Sequence, residues 1–241
     1  MARTRTSYVC GSCGVGTPQW QGQCPACQAW NTLELAASSL PVRPHRASNA
    51  AKSATSRSVA EVERDDEPRL ATAIGEQDRV LGRGLVAGSV TLLGGDPGIG
   101  KSTLLLQASD ALSRGCIVVY ASGEESLRQV ALRAHRLGLA SETLRLAAEI
   151  RVEAIIEEAL AARAAVLVVD SIQTMHSELS ESSPGSAVQV RESAARLVRF
   201  AKDTGTAVII IGHVTKEGLM AGPRLLAPLL ASQLVAAGPR Q

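Results

Sequence analysis

The last two thirds of the chain alternate short apolar runs with longer amphipathic stretches. The apolar runs are rich in β-branched residues, which is typical of strands buried on both faces of a parallel sheet. These predicted strands are Ser89–Gly94, Ile117–Ala121, Ala165–Asp170 and Ala207–Ile211. The predicted helices are Lys101–Arg114, Ser126–Leu137, Val152–Ala162 and Val188–Thr204. The alternation predicts an α/β fold with helices flanking a mostly parallel sheet.

Three zones of different composition divide the chain. Residues 1–32 contain four cysteines and many glycines and show no helical period. Residues 33–68 run through Ala, Ser, Arg and Pro to an acidic stretch, which predicts a flexible linker. We therefore predict a small cysteine-rich domain at 1–32, a linker at 33–68 and the α/β domain at 69–241.

Composition excludes some classes of protein and favours others. The chain is 45% hydrophobic and 20% charged, as in ordinary globular proteins, and has no apolar stretch of the roughly 18–20 residues that cross a bilayer. No apolar leader follows the charged first residues, so we expect a cytoplasmic protein without a membrane partner. Six Arg and Lys residues lie in the first 60 positions against the single acid Glu34, which fits either a polyanionic partner or solvated linker charge.

A glycine-rich loop follows the first predicted strand and opens the first predicted helix. Its glycines let backbone N–H groups turn towards a phosphate, and the helix N-terminus adds a partial positive charge. Lys101 is placed to reach the β- and γ-phosphates of ATP, and Ser102 offers a hydroxyl to Mg²⁺. The predicted phosphate-binding residues are Gly95, Asp96, Pro97, Gly98, Ile99, Gly100, Lys101, Ser102 and Thr103.

Two acidic positions complete the predicted ATP site. Asp170 ends a buried strand, at the sheet edge where ligands bind, and is predicted to hold Mg²⁺ through water. Glu124 follows the strand after the phosphate loop and is predicted to activate the attacking water, with Glu125 as the neighbouring alternative. Either glutamate could instead cap the helix that begins near Ser126.

Four of the five cysteines form two Cys-x-x-Cys pairs, Cys10 with Cys13 and Cys24 with Cys27. Two such pairs predict a structural Zn²⁺ site with all four positions filled, in preference to a redox dithiol or an iron–sulfur cluster. About thirty residues bury too little apolar surface to fold unaided, so the metal supplies folding energy. Trp20 and Trp30 are predicted to pack as the small core of this domain.

The chain resembles the RadA (Sms) family of bacterial DNA repair proteins, which are RecA-like ATPases with an N-terminal zinc finger. The resemblance covers residues 8 to about 226. Its motifs are Cys24–Thr32, Arg79–Gly84, Gly94–Thr103, Ser122–Ser126, Asp170–Thr174, Ser182–Ser186 and Gly212–Gly218.

The resemblance implies a DNA-dependent ATPase of recombinational repair and the DNA damage stress response. It implies binding of single-stranded and branched DNA, homohexameric rings with ATP between subunits, branch migration, and cooperation with the RecA recombinase. Ser182–Ser186, with Gln189 and Arg191, corresponds to a first DNA-binding loop. Gly212–Gly218 corresponds to a second, in which His213 or Lys216 senses the γ-phosphate.

The chain departs from the family after Gly222-Pro223-Arg224. The family's Lys-Asn-Arg-Phe-Gly motif and its Lon-protease-like domain are missing from the 241 residues, so we expect a C-terminally incomplete core. Such an ending is typical of a truncated or frameshifted product or a partial gene sequence. A truncated ATP- and DNA-binding module without hydrolysis is the alternative function. A RecA-like kinase of the circadian-clock type is a third, against which the four cysteines count.

Overall fold

The computed structural model describes residues 8–11, 13–35, 69–180, 182–213 and 234–236. The chain divides into two compact units, Met1–Glu67 and Pro68–Gln241. Among the described residues, no helix combines the length and apolar character that crossing a bilayer requires.

The first unit contains a small antiparallel sheet. Strands β1 (Tyr8–Cys10), β2 (Gly16–Thr17) and β3 (Leu33–Leu35) pair in the order β2-β1-β3. The buried hydrophobic cluster of its described residues consists of Cys10, Cys24 and Leu33, with Tyr8 and Cys13 packed against them. Thiol side chains therefore fill much of the interior of this unit.

The predicted tryptophan core of the first unit is wrong. Trp20 and Trp30 are 57% and 70% exposed. Strands of two or three residues form too small a layer to cover an indole ring, and the cysteines already occupy the interior. Trp30 instead lies over Gly22, where a Cβ would come within 3.7 Å of the ring.

The second unit begins with a two-stranded antiparallel sheet followed by a larger parallel sheet. The strands and helices are β4 (Arg69–Leu70), α1 (Gly75–Val80), β5 (Leu85–Val86), β6 (Val90–Gly95), α2 (Lys101–Ser113), β7 (Val118–Ser122), α3 (Leu127–Arg136), β8 (Leu144–Ala148), α4 (Val152–Ala162), β9 (Val166–Asp170), α5 (Ala187–Thr204), β10 (Ala207–His213) and β11 (Leu234–Ala236). The large sheet has the order β11-β6-β10-β9-β7-β8, and each of its pairings is parallel. Strands β4 and β5 pair with each other.

Both faces of the large sheet are covered, because successive residues of its central strands enter different cores. In β9, Val166 and Val168 pack into the core that also contains residues of α2 and α3, whereas Leu167 and Val169 pack into the core formed with α4 and α5. A strand buried on both sides needs apolar residues at every position, which is the pattern in the sequence. The α/β fold with its small cysteine ribbon is confirmed.

Strands β8 and β11 were not predicted. Strand β8 lies at one end of the sheet order and reads Leu-Arg-Leu-Ala-Ala, without the β-branched run of the central strands. A strand paired on one side only stays partly exposed and tolerates Arg145, so its sequence resembles an amphipathic helix as much as a strand.

The parallel sheet brings the carboxyl ends of its strands to one edge. Ser122 at the end of β7 is in register with Asp170 at the end of β9, and His213 of β10 with Gly95 of β6. Loops that follow these strands therefore meet at this edge, where open α/β sheets bind ligands.

Candidate functional site

The phosphate loop connects β6 to α2 with two glycines in left-handed conformations. Gly98 has φ +80° and Gly100 has φ +98°, angles that residues with a Cβ rarely adopt. Gly100 is the N-cap of α2, and its carbonyl accepts the amide of Leu104. The first amides of α2 therefore open onto the loop, and the helix directs its positive end there.

Lys101 is buried at the first position of α2, with only 5% of its surface exposed. Its Nζ donates hydrogen bonds of 2.8 Å to the carbonyls of Gly95 and Asp96. Burial lowers the pKa of Lys101, while the carboxylates of Asp170, Asp96 and Glu124 act in the opposite direction. The ammonium group is thus held against the loop, within the field of three carboxylates.

Asp170 is buried at the end of β9. The hydroxyl of Tyr120 donates a hydrogen bond of 2.6 Å to its Oδ2. Burial raises the pKa of Asp170, whereas the hydrogen bond from Tyr120 and the influence of the Ser102 side chain lower it. Ser102, the other residue predicted to hold magnesium, thus acts on the Asp170 carboxyl.

The paired glutamates have different partners. Glu124 Oε1 accepts a hydrogen bond of 2.6 Å from the hydroxyl of Ser171, the buried residue after Asp170. Glu125 forms an ion pair with Arg133 of α3. Neither glutamate caps α3, because Ser126 does so through a capping box with Gln129. The geometry favours Glu124 as the carboxylate beside the phosphate loop.

Gly123 allows the segments after β7 and β9 to pack closely. A Cβ at this position would lie 2.3 Å from Thr174 Oγ1 and 2.9 Å from Thr174 Cβ. The Gly123 amide also donates to the carbonyl of Asp170 at 2.8 Å. This contact places Glu124, the next residue, against Ser171.

Sequence reasoning missed three residues of the site, which are Tyr120, Ser171 and Arg133. Tyr120 is in register with Val168 on the neighbouring strand, two residues before Asp170 and on the same face of the sheet. A single tyrosine in an otherwise aliphatic buried strand was the signal available, because a buried tyrosine hydroxyl usually needs a partner.

The loop predicted to be the first DNA-binding loop is anchored by Gln189. Residues 183–185 are exposed, but Gln189 is only 2% exposed and does not reach the loop surface. Its amide oxygen accepts from the amide of Ser177, and its amide nitrogen donates to the carbonyls of Ser177, Ser180 and Ser182. Gln189 therefore shapes the loop from beneath.

Replacing Gln189 with alanine should lower the free energy of unfolding by about 1–3 kcal/mol, because backbone groups buried around its amide lose their partners. Urea denaturation measures this loss, and hydrogen exchange should rise at the amides of residues 177–182. Gln107→Ala is the matched control on the exposed face of α2, where we expect a change within about 0.5 kcal/mol. Equal stabilities of the two variants would contradict the anchoring role.

The predicted second DNA-binding loop lies mostly outside the described residues. Gly212 and His213 end β10, and residues 214–218 are not described. The sensing roles of His213 and Lys216 therefore stay predictions.

The four paired cysteines converge in the first unit. Their Sγ atoms all lie within 4.8 Å of one another, with 3.7 Å between Cys10 and Cys27 and 3.6 Å between Cys13 and Cys24. Tetrahedral zinc with Zn–S bonds of about 2.3 Å separates its sulfurs by about 3.8 Å. The thiols thus fit a four-sulfur zinc site.

The two halves of this metal site have the same backbone turn. The carbonyl of Cys10 accepts the amide of Gly14, and that of Cys24 accepts the amide of Gln28. Gly14 and Gln28 both have positive φ, at +73° and +59°. The fifth cysteine, Cys116, belongs to the second unit, where it packs against the core and burial raises its pKa.

Comparisons with known proteins agree with both sites. Residues 55–219 match the AAA domain family, and residues 8–34 match the rubredoxin metal binding domain family. DNA repair protein RadA of Pseudomonas aeruginosa is 49% identical over 94% of this chain and 50% of its own length. The proteins of the same name from Escherichia coli and Bacillus subtilis are 48% and 45% identical, over 92% and 100% of this chain. The resemblance predicted from the motifs is confirmed, and the chain spans about half the length of the curated relatives it matches.

Proposed function

Because the chain belongs to the AAA domain family, we propose that it binds Mg-ATP and hydrolyses it in a RadA-type role in recombinational DNA repair. One observation carries the proposal. Lys101 is held against the phosphate loop by two carbonyls, within the electrostatic influence of Asp170 and Glu124, whose strands end at the same edge of the sheet.

The phosphate loop and Lys101 account for nucleotide binding. The amides of α2 and the loop surround the phosphates, and Lys101 exchanges its carbonyl partners for phosphate oxygens. Ser102 and Asp170 are the residues that would hold Mg²⁺. Magnesium supplies positive charge that offsets the charge developing on the phosphates.

Glu124 is the proposed general base for the attacking water. It lies among Lys101, Asp170 and Ser171, and Ser171 holds one of its carboxylate oxygens. The hydrogen bond from Ser171 positions the carboxylate, as a general base requires. The Arg133 pair directs Glu125 towards α3.

The proposed DNA function rests on the relatives, which are named DNA repair proteins. We propose single-stranded and branched DNA as the polyanionic partner, cooperation with the RecA recombinase, homohexamer assembly and action in the cytoplasm. The exposed residues 183–185 and the basic charge of the first 60 residues support a polyanionic partner.

ATP turnover with and without single-stranded DNA tests the proposal. Glu124→Gln should lower turnover by about 10²–10⁴-fold and leave ATP binding in place, because the amide cannot accept the proton of water. Glu125→Gln should have the smaller effect, since the Glu125 carboxylate is already paired with Arg133.

Three results separate the alternatives. DNA-stimulated turnover lost in Glu124→Gln supports the ATPase. ATP and DNA binding without turnover in the unmodified chain supports the non-hydrolysing module instead. A larger loss in Glu125→Gln than in Glu124→Gln would assign the base to Glu125.

A further inference from the structure

We propose that Tyr120 is a positioning residue for magnesium, which orients the Asp170 carboxylate through its buried hydroxyl. The inference rests on the proposed Mg-ATP site and adds a residue that lies outside the phosphate loop and outside the strand that carries the aspartate.

The contact is short, buried and made between neighbouring strands. Tyr120 is only 1% exposed, and its hydroxyl lies 2.6 Å from Asp170 Oδ2. Tyr120 is in register with Val168, so Asp170 lies diagonally across from it on the same face. The tyrosine side chain spans this diagonal, because its hydroxyl forms the hydrogen bond to Asp170.

The ring of Tyr120 cannot easily turn away from Asp170. It packs in the core that contains Leu106 of α2, Val130 of α3 and Val168 of β9. Rotation of the ring would leave a void among these side chains, which close-packed interiors resist. The hydroxyl is therefore a donor whose direction is set by the core.

A carboxylate held through one oxygen presents its second oxygen in a defined direction. Ser102 is itself proposed to bind the metal, so its hydroxyl is not a fixed donor to Asp170. Tyr120 belongs to β7, apart from the phosphate loop, and its hydroxyl donates to Asp170 in the structure without nucleotide. Tyr120 therefore keeps the carboxylate oriented when Ser102 binds the metal.

The alternative is a core tyrosine whose hydroxyl merely needs an acceptor. The two roles differ in what removal of the hydroxyl changes. A core role affects only the stability of the fold, whereas a positioning role weakens metal binding at the nucleotide site and leaves metal-free nucleotide binding intact.

Titration of the full chain with Mg²⁺, read out by binding of a fluorescent ATP analogue, distinguishes them. In Tyr120→Phe the Mg²⁺ concentration at half-maximal enhancement of binding should rise about tenfold, as is typical when a residue that orients a metal ligand is lost. Affinity for the analogue in EDTA should stay unchanged. Electron paramagnetic resonance of Mn²⁺ should show a matching loss of bound metal.

Two control arms keep the result specific. Tyr8→Phe removes the only other tyrosine hydroxyl of the chain and should leave the Mg²⁺ midpoint unchanged. In an Asp170→Asn background, Tyr120→Phe should cause no further shift, because the carboxylate it orients is gone. Thermal unfolding shows that each variant is folded.

Equal Mg²⁺ midpoints for Tyr120→Phe and the unmodified chain would overturn the inference, as would a full additional shift in the Asp170→Asn background. Failure of Mg²⁺ to enhance analogue binding in the unmodified chain would instead overturn the proposed Mg-ATP function, and the inference with it.

Discussion

Replacing Lys101 with alanine is expected to abolish ATP turnover and to weaken ATP binding by about 100-fold or more, as is typical for loss of a preorganised charged group at a phosphate. Lys101 is nearly buried, and its ammonium is held by two carbonyls beside three carboxylates. In the alanine variant no ammonium group offsets the charge of these carboxylates, which therefore repel the negatively charged triphosphate. Isothermal titration with Mg-ATP and a phosphate-release assay measure the two effects.

The control for this variant is Lys202→Ala. Lys202 is an exposed lysine in the last turn of α5, so its loss removes the same charge from the protein without touching the loop. Its ATP affinity should remain within about twofold of the original, as for most exposed substitutions. An equal loss in both variants would mean that overall charge, and not the phosphate loop, governs nucleotide binding.

Replacing Cys24 with serine is expected to release zinc and unfold the described part of the first unit. The buried hydrophobic residues among the described part of that unit are two cysteines and Leu33, so little apolar burial remains once the metal leaves. Structural zinc sites contribute about 10–16 kcal/mol to folding in small domains, which exceeds what such a core can supply. Metal analysis and hydrogen exchange of residues 8–35 measure the loss.

The matched control for the zinc site is Cys116→Ser, which removes the fifth thiol from the second unit. We expect full zinc content in this variant and none in Cys24→Ser. The thermal transition of the second unit should persist in Cys24→Ser, because that unit has its own cores. Fewer than about half an equivalent of zinc in the unmodified chain would contradict the four-sulfur site.

The central strands and the phosphate loop could be predicted from the sequence, because few residue types can occupy their positions. Val166–Asp170 must be apolar at every position to lie between two helical layers, and Gly98 and Gly100 have backbone angles that other residues rarely adopt. The cysteine spacing similarly predicted the convergence of four thiols.

Other features depend on tertiary contacts that no local pattern contains. The link between Tyr120 and Asp170 requires the order and register of two strands 50 residues apart. The resemblance predicts Gln189 beside a DNA-binding loop, and its burial follows from its hydrogen bonds to Ser177, Ser180 and Ser182. Trp20 and Trp30 are predicted to form a core, whereas the thiols occupy that space and both indoles are exposed.

The sheet order also has a consequence for the timing of synthesis. Strand β6, which carries the phosphate loop, pairs with β10 and β11 and with none of the strands that immediately follow it in the chain. Gly95 and His213 are 118 positions apart, so at about 5–20 residues per second the ribosome needs roughly 6–24 s to supply the first partner of β6. During that interval β7, β8 and β9 can already assemble with α3 and α4. The strand that carries the phosphate loop is therefore among the last in the domain to pair with its neighbours. Cellular ATP can stabilise the fold only after this pairing has formed.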